Sequence, residues 1–208
     1  VDFAPKLQFD VEGIDFPAEA LWAMQLGISD PKAADCVYFF TDGSYFKAKP
    51  AKDDVHPGRD HVGGWSTVAV VHDFAHISDC NPDGFAFGGY AGGRIDDQDG
   101  TKGDEVLSSA LTEAMAILRT LCWILKHKPR AAEIAFDALS VGGAIAGDVD
   151  AGEQVERIVR ACTGVRRCAE VHSEIRMYHV KSHEQCPWND VADSIAKHFA
   201  LSDAAAEA

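Results

Sequence analysis

Four acidic residues stand at places where a carboxylate is costly unless it binds something: Asp42, Glu113, Asp137 and Asp193. Asp42 closes the apolar run Cys36-Val-Tyr-Phe-Phe-Thr-Asp, and Asp137 closes a second, Glu133-Ile-Ala-Phe-Asp. Glu113 interrupts a long apolar pattern of helical spacing, and Asp193 lies in Asn189-Asp-Val-Ala-Asp-Ser-Ile-Ala-Lys. Taken singly, an Asp after a strand suits a turn or a helix cap, and a Glu on a helix suits a solvated face. Taken together, four carboxylates on four separate elements suit a pair of hard divalent cations, which favour oxygen ligands. Such a metal pair suits phosphodiester hydrolysis.

The elements that must hold these residues are legible in the hydrophobic pattern. Residues 36–42 are apolar on both faces, as in a central strand covered on both sides. Gly63-Gly64 opens a second strand, Trp65 to Val71, and the turn signal Asn81-Pro-Asp-Gly84 precedes a third, Phe85 to Tyr90. These three form an antiparallel meander. Leu107, Leu111, Ala114, Ile117, Leu118, Leu121 and Leu125 repeat with helical spacing. Basic residues and Pro129 close that helix. A fourth strand over 132–137 then pairs parallel to the first, with the helix as the crossover. Short helices over 138–146 and 152–168, a fifth strand over 174–180 and a closing helix over 190–201 complete the order. Asp42 and Asp137 thus each end a strand, and sites in such sheets gather at the carboxyl ends of strands.

The 208 residues suffice for one domain with a core, and a hydrophobic content of 47% excludes a disordered chain. The net charge of −14 has the wrong sign for a generic nucleic-acid binder. The six cysteines follow no metal-finger spacing and read as free thiols of a reducing compartment. No signal peptide or long apolar span is present, so the expected location is intracellular and soluble, in cytoplasm or nucleus, with no membrane partner. Residues 1–35, with helix formers from Pro17 to Leu26, read as an N-terminal extension or linker, and 203–208 as a tail.

Phe40-Thr-Asp-Gly-Ser44, Gly63-Gly-Trp65, Thr112-Glu-Ala-Met-Ala116, Phe136-Asp137, and Val180-Lys-Ser-His183 followed by Asn189 and Asp193 resemble the type 1 ribonuclease H family. That family includes the ribonuclease H domains of reverse transcriptases. The resemblance covers roughly residues 36–202. It implies an α/β, ribonuclease H-like fold: a five-stranded mixed sheet, three antiparallel plus two parallel strands, flanked by helices. It implies hydrolysis of the RNA strand of RNA–DNA hybrids with two Mg²⁺, for which Mn²⁺ can substitute. Asp42, Glu113, Asp137 and Asp193 carry over as the metal ligands, and Glu113 also as the group facing the RNA 2′-hydroxyl. His183 carries over as the mobile histidine that assists proton transfer or product release. Gly43, Ser44, Ser108, Ser109 and Asn189 fall where family members hold substrate. An upstream polymerase or hybrid-binding domain in a parent polypeptide is the partner this resemblance suggests, beside the hybrid itself.

The chain departs from the family in two places. Many members carry a basic helix and loop ahead of the last strand, whereas here Gly147-Asp-Val-Asp150 joins two helices directly. The family's asparagines ahead of the helix glutamate are replaced by Ser108-Ser109-Ala110, which leaves Ser108 for a phosphate. Two other readings keep the fold and change the function. One is a non-catalytic module of a larger polymerase or retroelement protein, against which the complete acidic quartet speaks. The other is a different nuclease of the same fold. Proofreading exonucleases carry Asp-x-Glu on the first strand, where this chain has Asp42-Gly-Ser44.

Overall fold

A computed structural model describes residues 36–47, 61–72, 77, 85–95, 107–181 and 186–201. The expected 1–35 extension and the 203–208 tail lie outside the described residues. Five strands are present among them: β1 (Cys36–Lys47), β2 (His61–His72), β3 (Phe85–Ile95), β4 (Ala131–Phe136) and β5 (Glu174–His179). The four helices are α1 (Ser109–His127), α2 (Leu139–Ala146), α3 (Glu156–Glu170) and α4 (Pro187–Leu201). The strands form one sheet in the order β3-β2-β1-β4-β5. β1–β2 and β2–β3 are antiparallel, while β1–β4 and β4–β5 are parallel. This is the mixed sheet that the sequence predicts.

β1 lies at the centre because both of its faces are apolar. Val37 and Phe39 are fully buried in the larger core with α1, α2 and α3. Phe40, on the alternate side of the pleat, packs in a second core with Trp188, Ala192 and Ile195 of α4. α1 supplies Leu111, Ala114, Ile117, Leu121 and Ile124 to the larger core, the stripe expected from its spacing. The Ser108 side chain caps its start by accepting from the Leu111 N–H at 3.2 Å. At its other end Lys128 turns left-handed, its N–H bonded to the Ile124 carbonyl, and Pro129 follows.

Several boundaries differ from the sequence reading, among them β2, which begins at His61 rather than Trp65, and β3, which runs on to Ile95 rather than ending at Tyr90. β1 does not end at Asp42 but runs on to Lys47, because β2 continues to pair with it as far as Lys47↔His61. The 152–168 helix opens with a 3-10 turn at Glu153–Val155 before α3 begins. The last helix starts three residues earlier, on Pro187, a residue whose fixed φ suits a first helical turn.

α4 sits against β2 where the chain has no side chain. A Cβ on Gly64 would lie 2.1 Å from the Ala196 carbonyl oxygen and 2.6 Å from the Ala200 nitrogen, both backbone atoms that cannot swing aside. Gly64→Ala therefore has to lift the helix. We expect a loss of about 1–3 kcal/mol, as for other overpacked cores, and a fall in Tm of roughly 2–4 °C per kcal/mol. An unchanged Tm in thermal unfolding would show that α4 is not seated on this glycine.

Candidate metal and nuclease site

The parallel pairing of β4 with β1 stops at Thr41↔Phe136. Beyond that register β1 continues with one flank uncovered, and Asp42 is its first residue there. Asp137 is the first residue after β4. Glu113 reaches the same place from the first turns of α1, which can approach because residue 43 is glycine. A Cβ on Gly43 would lie 2.3 Å from the Glu113 nitrogen and 2.4 Å from the Thr112 carbonyl carbon. One carboxylate oxygen from each of Asp42, Glu113 and Asp137 falls within 4.8 Å of the others. Asp42 and Glu113 are buried, at 4% and 6% exposure, and Asp137 is half-buried.

This crowding controls the charge of the site. Burial first, then the charges of Asp137 and Asp193, push the Asp42 carboxyl up to about 8. Burial, followed by the charges of Asp42 and Asp137, raises Glu113 well above the usual carboxylate range. A hydrogen bond in which Glu113 donates its carboxyl proton to Asp42 raises Glu113 further and partly offsets the rise at Asp42. The Gly43 N–H, beyond the reach of the β4 ladder, donates to both carboxyls and partly offsets the rise. A hard cation would replace that proton. Ions of this kind hold oxygens at about 2.0–2.6 Å, and three oxygens within 4.8 Å fit around one of them.

Asp193 lies outside that group. It is on α4, close enough for its charge to act on Asp42, but its Oδ2 is 2.5 Å from Lys197 Nζ, one turn further along the helix. Asn189, also on α4 and 2% exposed, points its Nδ2 at Asp137 Oδ2 at 3.4 Å. Its Oδ1 has no hydrogen-bond partner among the described residues. Asp190 is exposed in the first turn of the same helix. Ser44 is buried two residues beyond Asp42. Ser108 is committed to capping α1, and Ser109 is exposed beside it, its carbonyl accepting from Thr112 Oγ1. His183 lies outside the described residues.

Three residues that sequence reasoning passed over bear on the site. The His179 ring, at the end of β5, places Nε2 3.1 Å from the Asp137 carbonyl oxygen. Its signal in the sequence is its position directly ahead of Val180-Lys-Ser-His183. Ser66, the register partner of Asp42, donates its Oγ to the Ala192 carbonyl at 2.6 Å and so fixes the turn that carries Asp193. Lys197 was visible as the fourth residue after Asp193, a spacing at which helix side chains meet.

No protein-family model matches the chain, and no curated protein matches its sequence significantly. Solved structures do share its architecture. Prototype foamy virus protease-reverse transcriptase aligns with a TM-score of 0.56 at 15% identity, over 80% of this chain and 21% of that one. The N-terminal RNase H domain of a Mycobacterium tuberculosis protein aligns at 0.52 and 16%, over 83% and 99%. The chain has the ribonuclease H fold. RNase H1 from Halobacterium salinarum, a separate protein of this fold, aligns at 0.50 and 14%, over 79% and 96%. The ribonuclease H neighbours are matched along nearly their whole length, whereas the chain spans about a fifth of the foamy-virus protein. Among the described residues, no helix is long and apolar enough to cross a membrane.

The raised carboxyls make stability depend on pH in a defined direction. Between the ordinary Asp value of 3.8 and about 8, folded Asp42 keeps a proton that the unfolded chain releases. Stability without metal therefore falls as pH rises through that window. Asp42→Asn removes the dependence at this position. In chelator, the variant should be more stable than wild type at pH 8, and the gap should close towards pH 4. Added Mg²⁺ should stabilise the wild type and leave the variant nearly unchanged. A gap independent of pH in thermal unfolding would refute the crowding.

Proposed function

We propose that this chain is a Mg²⁺-dependent endonuclease that hydrolyses the RNA strand of RNA–DNA hybrids. The observation that carries the reading is the convergence of Asp42, Glu113 and Asp137 on the uncovered flank of β1, in a ribonuclease H fold. In support, the foamy viral protein of the same fold has been solved in complex with an RNA/DNA hybrid. Asp42, Glu113 and Asp137 would hold one ion, and Asp193 would contribute to holding a second. When bound, the two ions supply an activated water and charge stabilisation for the leaving 3′ oxygen. Mn²⁺ substitutes in the same oxygen-donor set.

The remaining roles belong to protein groups. Glu113 accepts from the 2′-hydroxyl, the group that separates RNA from DNA. The Gly43 N–H holds Asp42 and Glu113 in register with one another. Asn189 orients Asp137 through its Nδ2 and keeps its Oδ1 for a donor on the substrate or on water. Ser44 lies two residues beyond Asp42 on β1, and Ser108 and Ser109 stand at the α1 N-terminus, where a phosphate finds hydroxyls and the positive end of the helix. His183 moves protons during leaving-group departure and product release. Residues 36–202 act as the catalytic domain, served by a polymerase or hybrid-binding domain elsewhere in the parent polypeptide.

Cleavage of labelled hybrid, duplex RNA and duplex DNA, each with and without Mg²⁺, tests the assignment. Only hybrid with Mg²⁺ should be cut. Asp137→Asn and Asp42→Asn should lower the rate by more than about 100-fold, the upper end for groups that merely support a ligand. His183→Ala should slow turnover by up to about 10²-fold and leave activity detectable. Near wild-type cleavage by Asp137→Asn would remove it from the site.

Binding should be weak for a chain of charge −14. Residues 147–155, between α2 and α3, hold only the 3-10 turn and no basic extension. With each phosphate contact contributing about −0.9, a handful of contacts gives a salt slope of roughly −2 to −4. Titration of Asp137→Asn with hybrid in Ca²⁺ across salt concentrations measures it. Tight binding that survives high salt would mean that a contact surface is missing from this account. Fusion to a hybrid-binding domain should raise affinity through effective concentration.

A further inference from the structure

Three of the four carboxylates converge, and the fourth is paired to a lysine. The difference does not lie in how the backbone is set. Ser66 Oγ clamps the Ala192 carbonyl, and Gly64 brings Ala196 against β2, so the turn bearing Asp193 is seated beside Asp42's neighbour strand. The side chains alone are left to move. Asp193 is about one-fifth exposed and Lys197 about one-half, so the ammonium has an open path to solvent.

We propose that Lys197 is a resident cation for the second metal position: its ammonium neutralises Asp193 while that position is empty and must swing out before a divalent ion binds there. The inference rests on the carboxylate site being a metal site, as in the reading above. Two effects set its size. An exposed i,i+4 ion pair shifts an equilibrium only about twofold. An ammonium left nearby also repels a divalent ion, and this repulsion is moderate at a water-exposed rim. Together they weaken the second ion by about two- to fivefold, without touching the ion held by Asp42, Glu113 and Asp137. Lys197 is thus a positioning and tuning residue, which sets the order in which the two ions enter.

The test uses Mn²⁺ titrated calorimetrically into the substrate-free chain, with thermal stability followed at each Mn²⁺ concentration. Wild type should show one tight and one weak step. Lys197→Met keeps the aliphatic stem and removes the charge. It should tighten the weak step about two- to fivefold, leave the tight step in place, and raise the Mn²⁺-dependent gain in Tm. Lys197→Arg keeps the charge and should behave as wild type. The difference between Met and wild type should shrink in 1 M KCl, where an exposed pair is screened. An unchanged weak step in Lys197→Met, an equal shift of both steps, or no weak step in either protein overturns the proposal. If wild type binds no ion and leaves hybrid uncut, the metal-site reading falls with it. If wild type binds two ions and cuts hybrid while Lys197→Met matches it, only the role of Lys197 falls.

Discussion

The placement of two buried carboxyls, Asp42 and Glu113, against one another is the constraint on which the rest of this molecule turns. Buried carboxylates are destabilising unless protonated, paired or bound to a metal. The fold creates this arrangement deliberately, in three places at once. β4 stops at Phe136 and leaves β1 uncovered from Asp42 onward. Gly43 lets the α1 backbone approach to within a distance that any side chain would forbid. α4 is then held on the opposite face by Gly64 and Ser66, which brings Asp193 and Asn189 to the same end of the sheet. None of these features stabilises the metal-free protein by way of the carboxyls. Each makes sense as preorganisation for a cation, whose binding turns mutual repulsion into coordination.

Much of this was legible in the sequence because residue type and period point the same way. The acidic residues stood out against apolar runs, and α1 was visible from its stripe. What could not be read was where one strand outlasts its neighbour. Asp42 looked like a strand end because the apolar run stops there, yet β2 carries β1 on to Lys47. Asp42 is the end of the β1–β4 pairing only, and it is that partial ending which opens the flank. Gly142, by propensity, weakens the short helix α2. In the fold its missing side chain is where the Phe136 ring packs, since a Cβ there would lie 2.0 Å from the ring. Ser108 was read only as a residue left for a phosphate, and its role as the cap of α1 came from the fold. Lys197 stood at helical spacing from Asp193, whereas His179 and Ser66 were invisible for a common reason. Their significance lies in contacts to backbone or to a neighbour's side chain, which no periodicity encodes.

Two arginines of α3 that could otherwise meet a substrate are engaged in the fold itself. Arg166 donates to the Ile145 and Ala146 carbonyls, satisfying the end of α2, and to Glu170 on its own helix. Arg160 pairs with Glu156 on the same helix. Their positive charge is therefore spent on holding α2 and α3 together and on solvated pairs worth little energetically. This matters for how a chain of charge −14 meets a polyanion. With a net charge of −14 there is no long-range attraction, so on the proposed function recognition would be local: ions that neutralise the carboxylates, a helix N-terminus at Ser108–Ser109, and hydroxyl or amide donors.

On the proposed function, local recognition of this kind would make the metal site and the substrate site one and the same. Without cations, the cluster and the phosphate repel, and the protonated Glu113–Asp42 pair lessens this only in part. Cations held by the cluster would cancel that repulsion, and the uncovered flank of β1 is where a phosphate would meet them. Affinity for substrate and affinity for the ions are then linked, each raising the other by the same factor. On that reading, the geometry of β1 beyond Thr41 sets both.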